Sequence, residues 1–333
     1  MKQIIFISTV CTVLAACGGG GGSSNPASNT ASAEIGAAVA LNNSNYEPAA
    51  KEIVGSASSL QSTGSVAQNL LTGVQVNTMI SPFMFLRERL PELAQHLKQR
   101  ANLTGVQYTD VVDCPDGGKM DVTGNDNNNN DELDTGDSVA LILSSCQYGR
   151  WKITGKMDFN VIRGTSTSEM TTQNIKISAS ISDFKSEIDD IAVVGNGTFT
   201  LDVTPASPSS FNVAIVTPLM TSKITQAGTS KVFQYKDYTI TAIADLNFTE
   251  WAIKGNVSVP TLGANTADVN SKTPFNTPSD KTYPTVGELL INVSNGGKMR
   301  VTATGTSNAK VELDLNSDGN YEENKLVSWI DVL

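Results

Sequence analysis

The chain has 333 residues, with 23 Lys and Arg against 33 Asp and Glu, one His and four Cys. A hydrolytic triad built on a histidine base and a zinc site of several His and Cys ligands therefore lack material. The net charge of −10 argues against nucleic acid or an anionic lipid surface as a partner.

Met1 and Lys2 are followed by an apolar run from Ile4 to Ala16 that is too short to span a bilayer and has the form of a secretory leader. It ends Leu14-Ala15-Ala16-Cys17, which resembles the lipobox of bacterial lipoproteins. The resemblance implies that residues 1–16 are a signal peptide, that Cys17 is lipidated, and that Gly18 after it directs the protein to the outer membrane. Residues 17–34, rich in Gly, Ser and Asn, read as a flexible tether.

Residues 35–105 read as a helical segment. Pro48 to Leu60 is rich in Ala, Glu and Lys, and Ser65 to Leu71 forms a second short piece. Ser81-Pro82 has the form of an N-cap with proline at the first helical position, ahead of Phe83, Leu86, Leu90, Leu93 and Leu97 on one stripe. Pro91 falls inside this stripe and is expected to kink or split the helix. The lone His96 sits among polar residues and reads as a solvated helical histidine.

From residue 106 to 333 the hydrophobic period is two. Cys114 and Cys146, the cysteines left after Cys11 and Cys17 are assigned to the leader and the anchor, flank two strand-like runs and are expected to form a disulfide in an oxidising envelope. The alternative is a pair of reduced, buried thiols. Antiparallel pairing about that bridge places the hairpin turn at Asn130, and closing the loop contributes roughly 3 kcal/mol. At its tip, Asp126, Asn128, Asn130, Asp134 and Asp137 repeat the spacing of a cation loop, although Asp131 stands where glycine is wanted. A solvated Asn-rich turn is the other reading.

Alternating runs then recur from Trp151 to Leu315, with turn signals at Asn196-Gly197, Pro205 to Ser210 and Asn295-Gly296-Gly297. Residues 261–285, with three prolines, read as a long irregular loop. The pattern predicts a mainly β protein: an antiparallel sheet of about ten to twelve strands, open, curved or sandwiched, with the helical segment packed on its apolar face.

Near the C-terminus, Asp314, Asn316, Asp318, Asn320 and Glu322 or Glu323 place oxygens at alternate positions, with Gly319 sixth in the series. This resembles the first half of an EF-hand calcium loop. Lys325 in place of the closing bidentate Glu, and strand-like flanks, depart from that pattern. Calcium held between two strands and an unoccupied acidic turn both fit. The leader, the Cys114-Pro-Asp-Gly-Gly118 hairpin and the terminal Asp-rich hairpin with Trp329 together resemble a group of uncharacterised outer-membrane lipoproteins of Gram-negative bacteria, which implies no particular activity.

The reading that fits best is a lipid-anchored, non-enzymatic envelope protein, calcium-stabilised, facing the periplasm or the cell surface. Its partners are the outer membrane through the Cys17 lipid and an unidentified envelope protein or glycan. One alternative is a carrier that curls its sheet round a hydrophobic ligand. Another is a glycan hydrolase using carboxylates such as Asp189, Asp190 or Glu250 beside Trp251.

Overall fold

The computed structural model describes residues 35–57, 81–100, 108–128, 130, 132–166, 174–207, 209–305 and 307–331. The leader, Cys17, the tether and the 65–71 piece lie outside the described residues, as do the side chains of His96 and Leu97. A first helix, α1 (46–57), precedes α2 (Pro82–Arg100). The strands follow as β1 (Tyr108–Asp113), β2 (Lys119–Asn125), β3 (Ser138–Tyr148), β4 (Trp151–Thr165), β5 (Asn174–Ile188), β6 (Ile191–Ser207) and β7 (Ser210–Gln226). They continue as β8 (Thr229–Ala244), β9 (Phe248–Ser258), β10 (Thr266–Pro278), β11 (Val286–Val293), β12 (Lys298–Ala303), β13 (Asn308–Asp314) and β14 (Glu323–Ser328). Among the described residues, no helix is long and apolar enough to cross a membrane.

All fourteen strands form one antiparallel sheet in strict chain order, so each strand pairs only with its sequence neighbours. The alternation that marks the strands sorts them into faces: along β5, Ile175, Ile177, Ala179 and Ile181 are buried, while the residues between them are more exposed. The buried face carries the core, and the helices supply its other half. Phe83, Leu86, Leu90 and Leu93 of α2 are buried as one stripe, each worth about 1.5–3 kcal/mol relative to exposure. Phe83 meets Phe199 of β6 edge-on at 4.4 Å, and Phe85 meets Phe184 of β5 at 5.7 Å. Ser81 accepts from Phe85 N, and α2 runs through Pro91 as a single element.

The sheet is curved. Glu47 of α1 pairs with Lys325 of β14 at 3.0 Å, and Glu52 pairs with Lys231 of β8 at 2.9 Å. These two glutamates are only ~7.5 Å apart along a helix axis, whereas strands six places apart in a flat sheet lie ~29 Å apart. Bulges permit the bend. Asp183 and Asp237 adopt φ near +48°, and the strand opposite each carries a glycine, Gly155 and Gly255. A Cβ on either glycine would lie 2.3 or 2.4 Å from the carbonyl oxygen of the facing aspartate, so neither position tolerates a side chain.

Three expectations about loops and turns are corrected. Residues 261–285 are not one irregular loop, because β10 runs through Thr266–Pro278 with Ala267, Val269, Phe275 and Thr277 buried. Register shifts next to Ser271 and Thr273 break its alternation, and Pro274 occupies the disrupted stretch. Asn196-Gly197 is not a turn but lies within β6, paired with Thr221 and Met220; the turn is at Asp189-Asp190. The β2–β3 hairpin pairs Lys119 with Ser144 and Asn125 with Ser138, which moves its axis past Asn130.

The disulfide between Cys114 and Cys146 is present, with Cα atoms 5.4 Å apart. Cys114 lies in the β1–β2 turn, so the bridge fastens that turn to β3 instead of closing the base of a single hairpin. Gln147 N donates to Gly117 O at 2.8 Å and Asp116 N to Gln147 O at 3.2 Å, extending the ladder beyond the start of β2.

Candidate metal centre

Strand β13 ends at Asp314 and β14 begins at Glu323, and the connection between them folds back on the end of β13. Gly319, at φ +94°, donates its N–H to Asp314 Oδ2 at 2.9 Å. Asp318 N donates to Asn316 Oδ1 at 2.9 Å, and Asn320 N donates to Asp318 Oδ1 at 2.7 Å. Leu315 N donates to Glu322 Oε2 at 3.2 Å. These backbone donors turn the acidic side chains toward one another. Asp314, Asp318 and Glu322 each present a carboxylate oxygen, all within 4.8 Å of one another.

The electrostatics are unequal across the three. Asp318 and Glu322 are exposed, whereas Asp314 has 0% of its surface exposed and its Oδ1 has no hydrogen-bond partner. A bare, buried carboxylate oxygen is costly. The Asn320 N–H holds the Asp318 carboxyl below the usual carboxylate range. Three converging carboxylates, one of them with an unsatisfied buried oxygen, can hold a cation, and sulfur and imidazole are absent from the set.

The sixth-position glycine and the alternating oxygens of the sequence pattern therefore converge as carboxylates at Asp314, Asp318 and Glu322. Asn316 serves the loop's own backbone through its Oδ1, and Asn320 contributes its N–H to Asp318. Glu323 is turned elsewhere and accepts from Asn43 Nδ2 at 3.2 Å. Sequence reasoning missed the supports round this loop. Lys298, directly opposite Asp314 in the β12–β13 register, donates to Ser317 O at 3.2 Å. Arg300 lies over the Tyr321 ring. Register pairing supplies the signal that would have found Lys298.

The loop at the tip of β2–β3 is built differently. Asp137, 1% exposed, accepts from Asn127 N at 3.0 Å and Asp134 N at 2.8 Å, and burial pushes its carboxyl up. Asp134 accepts from the side-chain amides of Asn128 at 2.9 Å and Asn130 at 2.6 Å. The asparagine run thus supplies donors to the loop's own acids. Among the described residues, Asp126, Asp134 and Asp137 do not join a set of three converging carboxylates.

The acids considered for hydrolysis are also dispersed. Asp189 is in the β5–β6 turn, paired with Arg150 at 2.5 Å, and Trp251 is buried and stacked on Phe275 at 4.4 Å. Glu250 points into a cleft of about 370 Å³ on the polar face, lined also by Arg163, Asp202, Thr241 and Ala252. Asp202 is held there by Arg163 at 2.8 Å and Lys176 at 3.6 Å.

No family model matches the chain, and no curated protein or solved structure matches it significantly.

Proposed function

We propose that this chain is a lipid-anchored protein of the Gram-negative outer membrane, tethered through Cys17, with a binding or structural role and a calcium ion in the β13–β14 connection. The observation that carries the calcium reading is the bare, buried Asp314 oxygen beside Asp318 and Glu322. Hard, all-oxygen donors suit calcium, which accepts irregular coordination, better than magnesium, which demands a near-octahedral site. The lipobox supports the location, and its resemblance to uncharacterised Gram-negative lipoproteins supports the class.

The two other readings rank behind it. In a carrier, the ligand would have to displace Phe83, Phe85 and Leu86 of α2 from the buried face. A carboxylate hydrolase needs an acid and a second carboxylate. Asp202, the acid that shares the cleft with Glu250, is tied up by two cations.

Native mass spectrometry of the full chain purified from its own host reads the N-terminal lipid, bound calcium and any bound apolar ligand together. The expected result is a lipidated mass beginning at Cys17 with one calcium ion that Asp318→Ala removes. An unlipidated mass that retains residues 1–16 refutes the anchor. A mass without metal, with no rise in melting temperature at millimolar calcium, refutes the metal.

A further inference from the structure

The candidate metal loop is also where the N-terminal part of the chain meets the C-terminal hairpin. Glu323, next to the cluster member Glu322, accepts from Asn43 Nδ2 at 3.2 Å. Two residues on, Lys325 pairs with Glu47 at 3.0 Å and lies 5.7 Å from the centre of the Tyr46 ring. Lys51 continues the chain of charges, 2.9 Å from Glu47 and 4.0 Å from Asp331. On the other side, a Cβ on Gly297 would lie 3.0 Å from Leu41 and 3.7 Å from Asp314 O, so the β11–β12 turn is wedged between the two. Asn43 and Glu47 thus grip Glu323 and Lys325 just after the loop, and Leu41 packs on the β11–β12 turn beside Asp314.

We infer that cation binding at Asp314, Asp318 and Glu322 controls the docking of residues 41–57 on the C-terminal hairpin, a coupling that rests on the metal reading above. Without a cation, carboxylates whose oxygens lie within 4.8 Å repel one another, and the loop relaxes by spreading. Spreading acts first on the last rungs of the ladder, Leu313 with Glu323 and Glu312 with Asn324. Those rungs fix where Glu323 and Lys325 stand, and the N-terminal segment reads their positions through Asn43, just before α1, and Glu47, within it. The cation draws the three carboxylates together, sets the rungs and restores the face that the helix docks on. Residues 41–57 follow the proposed tether in sequence, so calcium outside the membrane would set how firmly this segment is held on the β domain.

Linkage makes the relation reciprocal: if the cation tightens the docking of the helix by some factor, the docked helix tightens the cation by the same factor. A variant that undocks the helix loses up to that much metal affinity. The test is hydrogen–deuterium exchange on the full chain with and without millimolar calcium, together with calcium titration of wild type and Glu47→Gln. Glu47 is on the helix and outside the loop, so its substitution leaves the ligand set intact. The expected result is added protection in residues 43–57 as well as 314–328, and affinity roughly threefold weaker in Glu47→Gln. Calcium that binds but protects only the loop, with unchanged affinity in Glu47→Gln, overturns the coupling and leaves the metal site standing. Failure of the wild type to bind calcium at all removes the metal site and the coupling with it.

Discussion

Arg300 Nε donates to Glu312 Oε2 at 2.6 Å while its guanidinium carbon lies 4.2 Å from the centre of the Tyr321 ring, so one side chain joins β12, β13 and the acidic β13–β14 loop. Glu312 is 5% exposed and also pairs with Lys310 at 2.6 Å. Burial alone would raise its carboxyl, but the two cations outweigh it and hold it below the usual range. Replacing it with leucine removes two charge-assisted hydrogen bonds, while Arg300 and Lys310, both partly exposed, can rehydrate. Glu312→Leu is therefore expected to cost about 2 kcal/mol, read from the urea midpoint at unchanged slope.

Asp314→Asn should act with opposite sign in the presence and absence of calcium. The amide keeps an acceptor for Gly319 N and removes a buried negative charge, so the metal-free protein should melt higher than wild type. The calcium-dependent rise should vanish in the same variant. Thermal melts with chelator and with calcium check both halves; a lower chelator melt would show that the buried carboxylate is satisfied by something other than a cation.

The α1 dock should loosen in acid. Lys51 and Lys325 donate to Glu47 and hold its carboxyl below the ordinary value of 4.5. A folded-state value below the unfolded one contributes stability that is complete above the ordinary value and is lost as pH falls through the folded value. Lys325 is raised from 10.5, chiefly by its hydrogen bond to Glu47, so the same contact is lost on the alkaline side only as pH rises through that raised value. Glu323, Tyr46 and Asp331 are the other ionisable groups beside this contact. Exchange in residues 46–57 should rise below pH 4.5, relative to intrinsic rates, and Glu47→Gln should flatten that dependence.

Two glycines at positive φ, Gly255 at +130° and Gly228 at +78°, should differ sharply on substitution. Gly255 and Gly228 both have positive φ, but a Cβ on Gly255 would lie 2.4 Å from Asp237 O, whereas Gly228 has nothing within 4 Å. Gly228→Ala should cost about 1 kcal/mol of conformational strain. Gly255→Ala adds a backbone collision that only movement of β8 relieves, and should lower the melting temperature by several times as much.

Much of this fold is legible because a one-sided sheet writes its faces into the sequence. Ile175, Ile177, Ala179 and Ile181 announce β5 by alternation, and Phe83, Leu86, Leu90 and Leu93 announce α2 by helical spacing. The failures lie where a bulge changes the phase. In β10, register shifts beside Ser271 and Thr273 interrupt the period, and three prolines nearby gave a stronger local signal of disorder than the strand gave of order. Asn196-Gly197 has the composition of a turn, yet Gly197 is needed because Leu219 O of the neighbouring strand leaves no room for a side chain. The acidic loop was legible through Gly319 and its alternating oxygens. Which glutamate closes it was not, because Glu323 is claimed by Asn43, 280 positions away, and no local pattern encodes that partner.

The strict chain order of the sheet has a consequence for how such a molecule can change length. No strand is inserted between two earlier ones, so a whole hairpin can be lost from or copied into the middle of the ladder and every surviving strand keeps at least one of its neighbours. What limits such growth is the span of α1, since Glu52 must reach β8 while Glu47 reaches β14. Strands β1 to β7 lie outside that span, and insertions there leave the helix and the loop in the same relation to one another.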